Sequence, residues 1–181
     1  MVNHSPTGIG RLRAVDRTGR HVNAVIEAVR GTRSKYKFDE ATGLFVHDKA
    51  LPAGLAYPLD FGFIPGTRAA DGDPLDVLVL ADEPAHVGAV VPARLIGAIE
   101  AGQSDGAAGS PIRNDRLLAV AAKSSDFNGI RTIRDVPHGL LDGIEAFFVA
   151  SNALRGRTFE PVRRVGTSRA WRLLRDSAHE P

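Results

Sequence analysis

The residues best suited to chemistry lie in one short segment, Asp71-Gly72-Asp73-Pro74-Leu75-Asp76, called here the acidic turn. Its carboxylates repel one another unless a cation or water separates them. Hard divalent cations such as Mg²⁺ prefer oxygen ligands of this kind, so the segment is a candidate metal site. The alternative is an ordinary exposed turn, because Asp-Gly is common in turns. An EF-hand is excluded, since Leu75 stands at a ligand position and Asp76 where that loop requires glycine.

The elements that must position this turn are short strands. Apolar runs separated by Gly, Pro and Asp fill the first two thirds of the chain. The acidic turn directly precedes one of them, Leu75–Leu80, which has the length of a buried strand. Strands this short and closely spaced predict a closed or partly closed antiparallel barrel. The predicted strands are His21–Val29, Lys35–Asp39, Gly43–Asp48, Tyr57–Ile64, Leu75–Leu80, Val87–Ile99 and Arg116–Ala122.

Helical periodicity is confined to the last third of the chain. Apolar residues between positions 140 and 148 recur at three- and four-residue spacing, which predicts one apolar helix face that extends to about Leu154. Asp135-Val136-Pro137 favours a helix start with Asp135 as N-cap. A shorter helix is predicted around Ser168–Ala178. The predicted class is therefore mainly β with α (α+β), a small barrel with one or two packed helices.

Composition narrows the function classes. The 181 residues fit a single domain, residues 1–181, with 1–20 as a candidate N-terminal extension. The absence of cysteine excludes disulfides, thiol catalysis and cysteine-ligated metals. The 23 basic and 21 acidic residues nearly balance and aromatic residues make up only 6%, so no nucleic-acid partner is expected. No membrane helix or signal peptide is recognised, and we expect a cytoplasmic protein without a membrane partner.

Four blocks of sequence resemble the soluble (family I) inorganic pyrophosphatases in order and nearly in spacing. They are Val25-Ile26-Glu27, Lys35-Tyr36, the stretch from Tyr57-Pro58 to Phe63-Ile64, and the acidic turn with Val77. The similarity runs from about Val25 to Val120 and continues weakly to Phe147-Phe148. It implies an OB-like closed barrel of five strands with helices. It also implies metal-dependent hydrolysis of inorganic pyrophosphate to two phosphates by a metal-activated water.

The resemblance also implies roles for particular residues. Asp71, Asp73 and Asp76 would be metal ligands, and Asp73 would also accept a proton from the attacking water. Glu27 would be a second catalytic carboxylate near the metal. The cofactor implied is Mg²⁺, with Mn²⁺ or another divalent cation as the alternative, and the assembly implied is a homo-oligomer. Lys35 would hold a phosphate oxygen. The predicted substrate-binding set also contains Lys49, Tyr57 and Arg116.

The chain departs from the family pattern within the expected pocket. Lys49 stands in place of an arginine, Lys37 in place of an acidic residue and Phe61 in place of a tyrosine. A Tyr-Lys pair becomes Ser151-Asn152. The positions of two metal-binding aspartates and a lysine hold Gln103, Asn114 and Arg116, and the glycine-rich segment Gly102–Gly109 is predicted to be a surface loop.

These departures leave several interpretations open. Asp115 is taken as a replacement metal ligand, with Asp105 and Glu100 as alternatives that no spacing argument separates. New arginines could rebuild phosphate binding or could be surface residues: Arg113, Arg116, Arg155 and Arg157. Because each lost donor to a phosphoryl group can cost ~10²–10³ in rate, weak activity is expected. The alternatives to a pyrophosphatase are an enzyme for another phosphoanhydride or phosphate ester, and a catalytically silent scaffold.

Overall fold

The computed structural model describes residues 8–104 and 110–178. Its strands are β1 (Val22–Ala28), β2 (Ser34–Asp39), β3 (Leu44–Ala50), β4 (Asp60–Phe63), β5 (Asp76–Leu80), β6 (Val90–Ser104), β7 (Ile112–Arg113), β8 (Arg116–Ala121) and β9 (Thr158–Gly166). Its α-helices are α1 (His138–Ala153) and α2 (Thr167–Ser177), and short 3-10 helices span Gly8–Arg11 and Ile133–Asp135. No helix in the described part of the chain is long and apolar enough to cross a membrane.

Five of these strands close into a ring in the order β1-β4-β5-β8-β6 and back to β1. Four of the five pairings are antiparallel, and β5 pairs with β8 in parallel. A ring with an odd number of strands cannot alternate direction all the way round, so at least one pair must be parallel. The predicted small β-barrel with helices is therefore confirmed, whereas the expectation that it is antiparallel throughout was wrong.

Both faces of the ring wall are buried, which explains the unbroken apolar run of β5. Leu78 and Leu80 pack in one cluster with Ile144 of α1, and Val77 and Val79 pack in another with Leu174 of α2. Successive side chains of a strand point to opposite faces, so a strand covered on both faces must be apolar at every position. The two helices thus cover opposite sides of the same wall.

Outside the ring, β2 and β3 form a separate two-stranded hairpin, and β9 pairs with β6. The sequence patterns missed β9, because its mostly polar, exposed residues lack an apolar alternation. They also missed the two-residue β7. Part of the predicted Gly102–Gly109 loop belongs to β6, and residues 105–109 lie outside the described residues.

The predicted helices are present, but one cap is different. Pro137 is the N-cap of α1, whereas the Asp135 carboxylate accepts hydrogen bonds from the Arg131 and Thr132 amides at 2.9 and 2.8 Å. The prediction that Asp135 caps α1 was therefore wrong. Its side chain closes the preceding 3-10 turn instead, because those amides lie within three or four residues of it.

A buried carboxylate joins the outer strands to α2. Glu100 of β6 receives hydrogen bonds from Arg113 of β7 at 2.7 Å, Arg163 of β9 at 2.5 Å and Arg169 of α2 at 2.7 Å. Burial alone would raise the pKa of Glu100, but the hydrogen bonds from Arg163 and Arg169 and the charge of Arg113 lower it to about 2. Glu100 therefore stabilises the contacts among four elements.

We expect Gly62→Ala to destabilise the fold strongly. A Cβ atom at Gly62 of β4 would lie 1.9 Å from the carbonyl oxygen of Val25 in β1, and the obstacle is backbone that belongs to the ring. Forced overpacking of this kind costs ~3 kcal/mol of unfolding free energy, measurable by urea denaturation. Gly143→Ala is the control, because a Cβ at Gly143 in α1 meets open space and alanine favours helix by ~1 kcal/mol. Equal stability of the two variants would contradict the prediction.

Glu100→Gln should lower the unfolding free energy at pH 7 by ~2 kcal/mol, since a buried charge-assisted hydrogen-bond acceptor is lost. The folded-state pKa of about 2 lies below the ordinary 4.5, so the stabilisation is present above pH 4.5 and is lost as the pH falls through about 2. Denaturation at a series of pH values should show wild type and variant converging in acid. A pH-independent difference would mean that the charge of Glu100 is irrelevant.

Candidate active site

A cavity of about 410 Å³ lies where the β2–β3 hairpin, the acidic turn and the end of α1 meet. It brings together almost every residue singled out from the sequence. The predicted site residues that line it are Glu27, Lys35, Lys49, Tyr57, Asp71, Asp73, Asp76 and Arg116. Six basic and five acidic side chains line the cavity in total, so charges of both signs are concentrated there.

A β-bulge places Glu27 beside Lys35. The pairing of β1 with β4 passes from Ile26 opposite Gly62 to Ala28 opposite Phe61, which leaves Glu27 as the extra residue. Bulges of this kind re-aim a side chain. The Glu27 side chain is only 6% exposed, and its Oε2 lies 3.2 Å from the Nζ of Lys35.

The Glu27–Lys35 ion pair holds the positively charged Lys35 ammonium group inside the cavity. Burial raises the pKa of the Glu27 carboxyl. Burial alone would lower the pKa of Lys35, but the carboxylates of Asp76 and Glu27 outweigh it and raise that pKa. The Lys35 ammonium also lies 5.0 Å from the centre of the Phe61 ring. It is therefore a stable positive charge that faces the acidic turn.

The acidic turn is tight and electrostatically strained. Gly72 adopts φ +88°, a left-handed conformation that glycine tolerates best, and Oδ1 of Asp71 accepts the amide of Asp73 at 3.2 Å. Burial and the charges of Asp76 and Asp73 raise the pKa of Asp71. The turn therefore gathers negative charge that a bound cation would stabilise.

Asp73 lies at the open edge of this turn. Its Oδ1 is 3.2 Å from the Nζ of Lys37 on β2, and the two side chains are 61% and 52% exposed. Exposed ion pairs of this kind contribute little to stability. The contact therefore leaves Asp73 accessible to water and to small molecules in the cavity.

Asp76 and Arg116 form a second largely enclosed ion pair of the cavity, with side chains 18% and 5% exposed. They are the first residues of β5 and β8 and lie opposite each other in the parallel register, with NH1 of Arg116 2.7 Å from Oδ2 of Asp76. The guanidinium carbon lies 4.9 Å from the ring centre of Phe148 and 5.2 Å from that of Phe159. NH1 also donates to Oδ1 of Asn114. Arg116 is therefore held in one position.

Positive charges crowd together on the opposite wall. Lys35 and Lys49 face each other across the β2–β3 hairpin, and Arg155 donates its Nε to the carbonyl oxygen of Ser151 at the end of α1. Burial and the positive charge of Lys35 lower the pKa of Lys49 despite the carboxylate of Asp48 at 3.3 Å. Cations that destabilise one another in this way form a binding place for an anion.

Aromatic packing supports this wall from behind. The Tyr57 ring stacks on Phe61 at 5.7 Å and contacts Phe147 at 5.4 Å. Burial raises the pKa of Tyr57, so its hydroxyl keeps its proton and can donate a hydrogen bond.

Not every residue expected at the site reaches it. Asp115 does not line the cavity, because its carboxylate accepts the Ala101 amide at 3.1 Å and Nε of Arg113 at 2.6 Å. The structure therefore places Asp115 outside the cavity that holds Asp71, Asp73 and Asp76. Glu100 is surrounded by arginines of β7, β9 and α2, and Asp105 lies outside the described residues.

Of the four new arginines, three line the cavity, namely Arg116, Arg155 and Arg157, whereas Arg113 contacts Glu100 and Asp115. The aromatic enclosure of Arg116 was not foreseen from the sequence. Phe148 was identified only as part of an apolar helix face, and Phe159 lies on the unpredicted β9. The sequence offered one signal of a buried arginine: Arg116 directly begins the apolar segment that forms β8.

The donor chemistry of the cavity fits a hard divalent cation. No three His, Cys, Asp or Glu side chains within residues 8–104 and 110–178 converge closely enough to enclose a metal by themselves. Mg²⁺ is usually held by one or two carboxylates together with water and substrate phosphates rather than by a complete protein cage. Asp71, whose pKa is raised by burial and by the nearby charge of Asp76, provides such a partial set together with Asp76.

Fold and cavity together define a small β-barrel protein of the α+β class with a site for metal-assisted chemistry on an anion. A family model described as inorganic pyrophosphatase matches residues 24–180. The inorganic pyrophosphatase of Synechocystis sp. is 37% identical over 139 residues, which cover 77% of this chain and 79% of that protein. The Thermus thermophilus enzyme is 36% identical over 151 residues, 83% of each chain.

A solved structure of inorganic pyrophosphatase from Thermus thermophilus superposes with a TM-score of 0.85 at 32% identity, covering 94% of this chain and 97% of that one. The chain therefore belongs to the inorganic pyrophosphatase family.

We expect Asp71→Asn to stabilise the metal-free protein, because the burial and like-charge repulsion that raise the pKa of Asp71 are relieved when its charge is removed. Solvent screens this exposed side chain, so the gain should be at most ~1 kcal/mol. Urea denaturation in the presence of a chelator measures this difference. Asp176→Asn on the exposed side of α2 is the control and should change stability by less than ~0.5 kcal/mol. A destabilised Asp71→Asn protein would mean that the carboxylate has a structural role in the turn.

Proposed function

We propose that this protein hydrolyses inorganic pyrophosphate to two phosphates with the help of a divalent cation. The observation that carries the proposal is one cavity in which the acidic turn faces Lys35, Lys49 and Arg116. A pyrophosphate ion carries several negative charges, so it needs both the basic wall and a cation on the carboxylates. Membership of the family supports the same reaction.

The acidic turn would hold the cation through Asp71 and Asp76. Oxygen ligands favour Mg²⁺, and Mn²⁺ has a similar preference. When bound, such an ion lowers the pKa of a coordinated water and neutralises phosphoryl charge. Asp115 is left out of this ligand set because Arg113 and the Ala101 amide already occupy its carboxylate.

Asp73 is our candidate general base. Its side chain is 61% exposed, so it can reach an attacking water and accept its proton. Positioned general bases contribute about 10²–10⁴-fold in rate. Glu27 would act by holding Lys35 in place through its 3.2 Å contact.

The basic wall would bind and orient the substrate. Lys35, Lys49, Arg116 and Arg155 surround one region of the cavity, and fixed donors to phosphoryl oxygens stabilise the charge that develops as the bridging bond breaks. Tyr57 would contribute a hydroxyl donor. Lysine at position 49 supplies charge without the two-pronged geometry of arginine.

Ser151 and Asn152 also line the cavity, but their side chains donate hydrogen bonds to the backbone of α1. The Asn152 amide donates to the carbonyl oxygen of Phe148 at 2.8 Å, and the Ser151 hydroxyl donates to the same oxygen at 3.3 Å. These side chains are therefore used in closing α1, and we propose a slow enzyme. The aromatic residues behind Arg116 are at most 8% exposed, which leaves little apolar surface for an organic group.

We further propose a single domain over residues 1–181, a cytoplasmic location and a homo-oligomeric assembly. The assembly is supported by exposed apolar side chains, among them Leu44, Leu154 and Val162, which are 64%, 63% and 71% exposed. Light scattering on purified protein would establish the number of subunits.

The decisive assay is phosphate release from pyrophosphate at saturating Mg²⁺. We expect wild-type turnover that a chelator abolishes, and a loss of ~10²-fold or more in kcat for Asp73→Asn because the general base is removed. Asp176→Asn serves as the matched control and should retain wild-type activity.

Other outcomes separate the alternatives. Turnover that is unaffected by Asp73→Asn would assign the base elsewhere. Inactivity toward pyrophosphate with turnover of another phosphoanhydride or of a phosphate ester would indicate a changed substrate. Inactivity toward all of them would indicate a scaffold.

A further inference from the structure

The surroundings of Arg116 are unusual for a substrate-binding arginine. Its side chain is 5% exposed and lies among the rings of Phe61, Phe148 and Phe159. Its Nε is buried and has no hydrogen-bond partner among the described residues. A guanidinium is a permanent positive charge, and this one is covalently part of the cavity wall.

The position of this charge is set by backbone pairing. Asp76 and Arg116 are register partners in the parallel β5–β8 pair, which brings NH1 to 2.7 Å from Oδ2 of Asp76. One of the two carboxylate oxygens of Asp76 is thereby occupied by the protein itself.

The further hydrogen-bond partners of the Arg116 side chain are neutral oxygens. NH1 donates to the side-chain oxygen of Asn114, and the Asn114 amide donates to Gln103 at 3.3 Å. Amides can orient the guanidinium but add no negative charge to attract another cation. Arg116 therefore pairs directly with Asp76, and the charge of Lys35 also acts on that carboxylate.

We propose that Arg116 is a resident cation that takes the place of one divalent ion at the acidic turn. The proposal deepens the proposed function and rests on it for the role of the cavity. Asp76 then offers a metal only the oxygen that Arg116 leaves, and the guanidinium presents a permanent positive charge to the phosphoryl group. The turn binds one divalent ion fewer than its carboxylates would hold without the arginine.

The test counts bound metal and does not depend on turnover. Titration of full-length protein with Mn²⁺, followed by calorimetry and by electron paramagnetic resonance of unbound Mn²⁺, gives the number of ions per chain. Arg116→Met keeps the aromatic packing but removes the charge, so both oxygens of Asp76 become open to a metal. We expect this variant to bind one Mn²⁺ more per chain than the wild type.

Three variants define the controls. Arg116→Lys keeps a positive charge and should not gain an ion. Adding Asp76→Asn to Arg116→Met should abolish the gain, because the gain requires the carboxylate. Arg172→Met on the exposed side of α2 removes an arginine far along the chain from the turn and should bind Mn²⁺ as the wild type does.

The proposal is overturned if Arg116→Met binds no more Mn²⁺ than the wild type, or if the double variant keeps the gain. It is also overturned if Arg116→Met cannot fold even in excess Mn²⁺, since a divalent ion could then not replace the guanidinium. A gain of Mn²⁺ in a protein that does not cleave pyrophosphate would support the resident cation and refute the proposed function. The two ideas can therefore fail separately.

Discussion

A closed ring of five strands cannot be antiparallel throughout, and the position of its one parallel pair determines much of this site. Parallel strands begin at the same edge of a sheet, so the first residues of β5 and β8 are neighbours. Those residues are Asp76 and Arg116, the end of the acidic turn and a buried arginine. Ring closure thus places opposite charges 2.7 Å apart although 40 positions separate them in the chain.

The remaining charges of the cavity are kept from neutralising one another completely. Lys35 and Lys49 belong to a hairpin outside the ring, while Asp71 and Asp73 belong to the turn below it. Each group contains like charges that repel, as the raised pKa of Asp71 and the lowered pKa of Lys49 indicate. This like-charge repulsion destabilises the folded protein when the cavity is empty. Binding of a cation to the carboxylates and of an anion to the lysines would reduce it.

Local patterns predicted the parts of the structure that depend on local physics. The apolar run of β5 and the helical spacing of α1 were recognised because burial imposes a period on the sequence. β9 was missed because its residues are mostly exposed and its stability comes from pairing with β6. Asp135 was assigned to the wrong helix because two turns lay within reach of one carboxylate.

By itself, the sequence determined which chemical groups the protein possesses: an acidic turn, a few lysines and no thiol. Those follow from residue type and short spacing. Only the tertiary structure decided the partners of these groups, placing Glu27 on Lys35 through a bulge and Arg116 on Asp76 through a parallel register. It also places Asp115 outside the cavity, where its carboxylate accepts a hydrogen bond from Arg113. The physical reason is that side-chain partners far apart in the chain are set by strand register, and register is fixed only when the barrel closes.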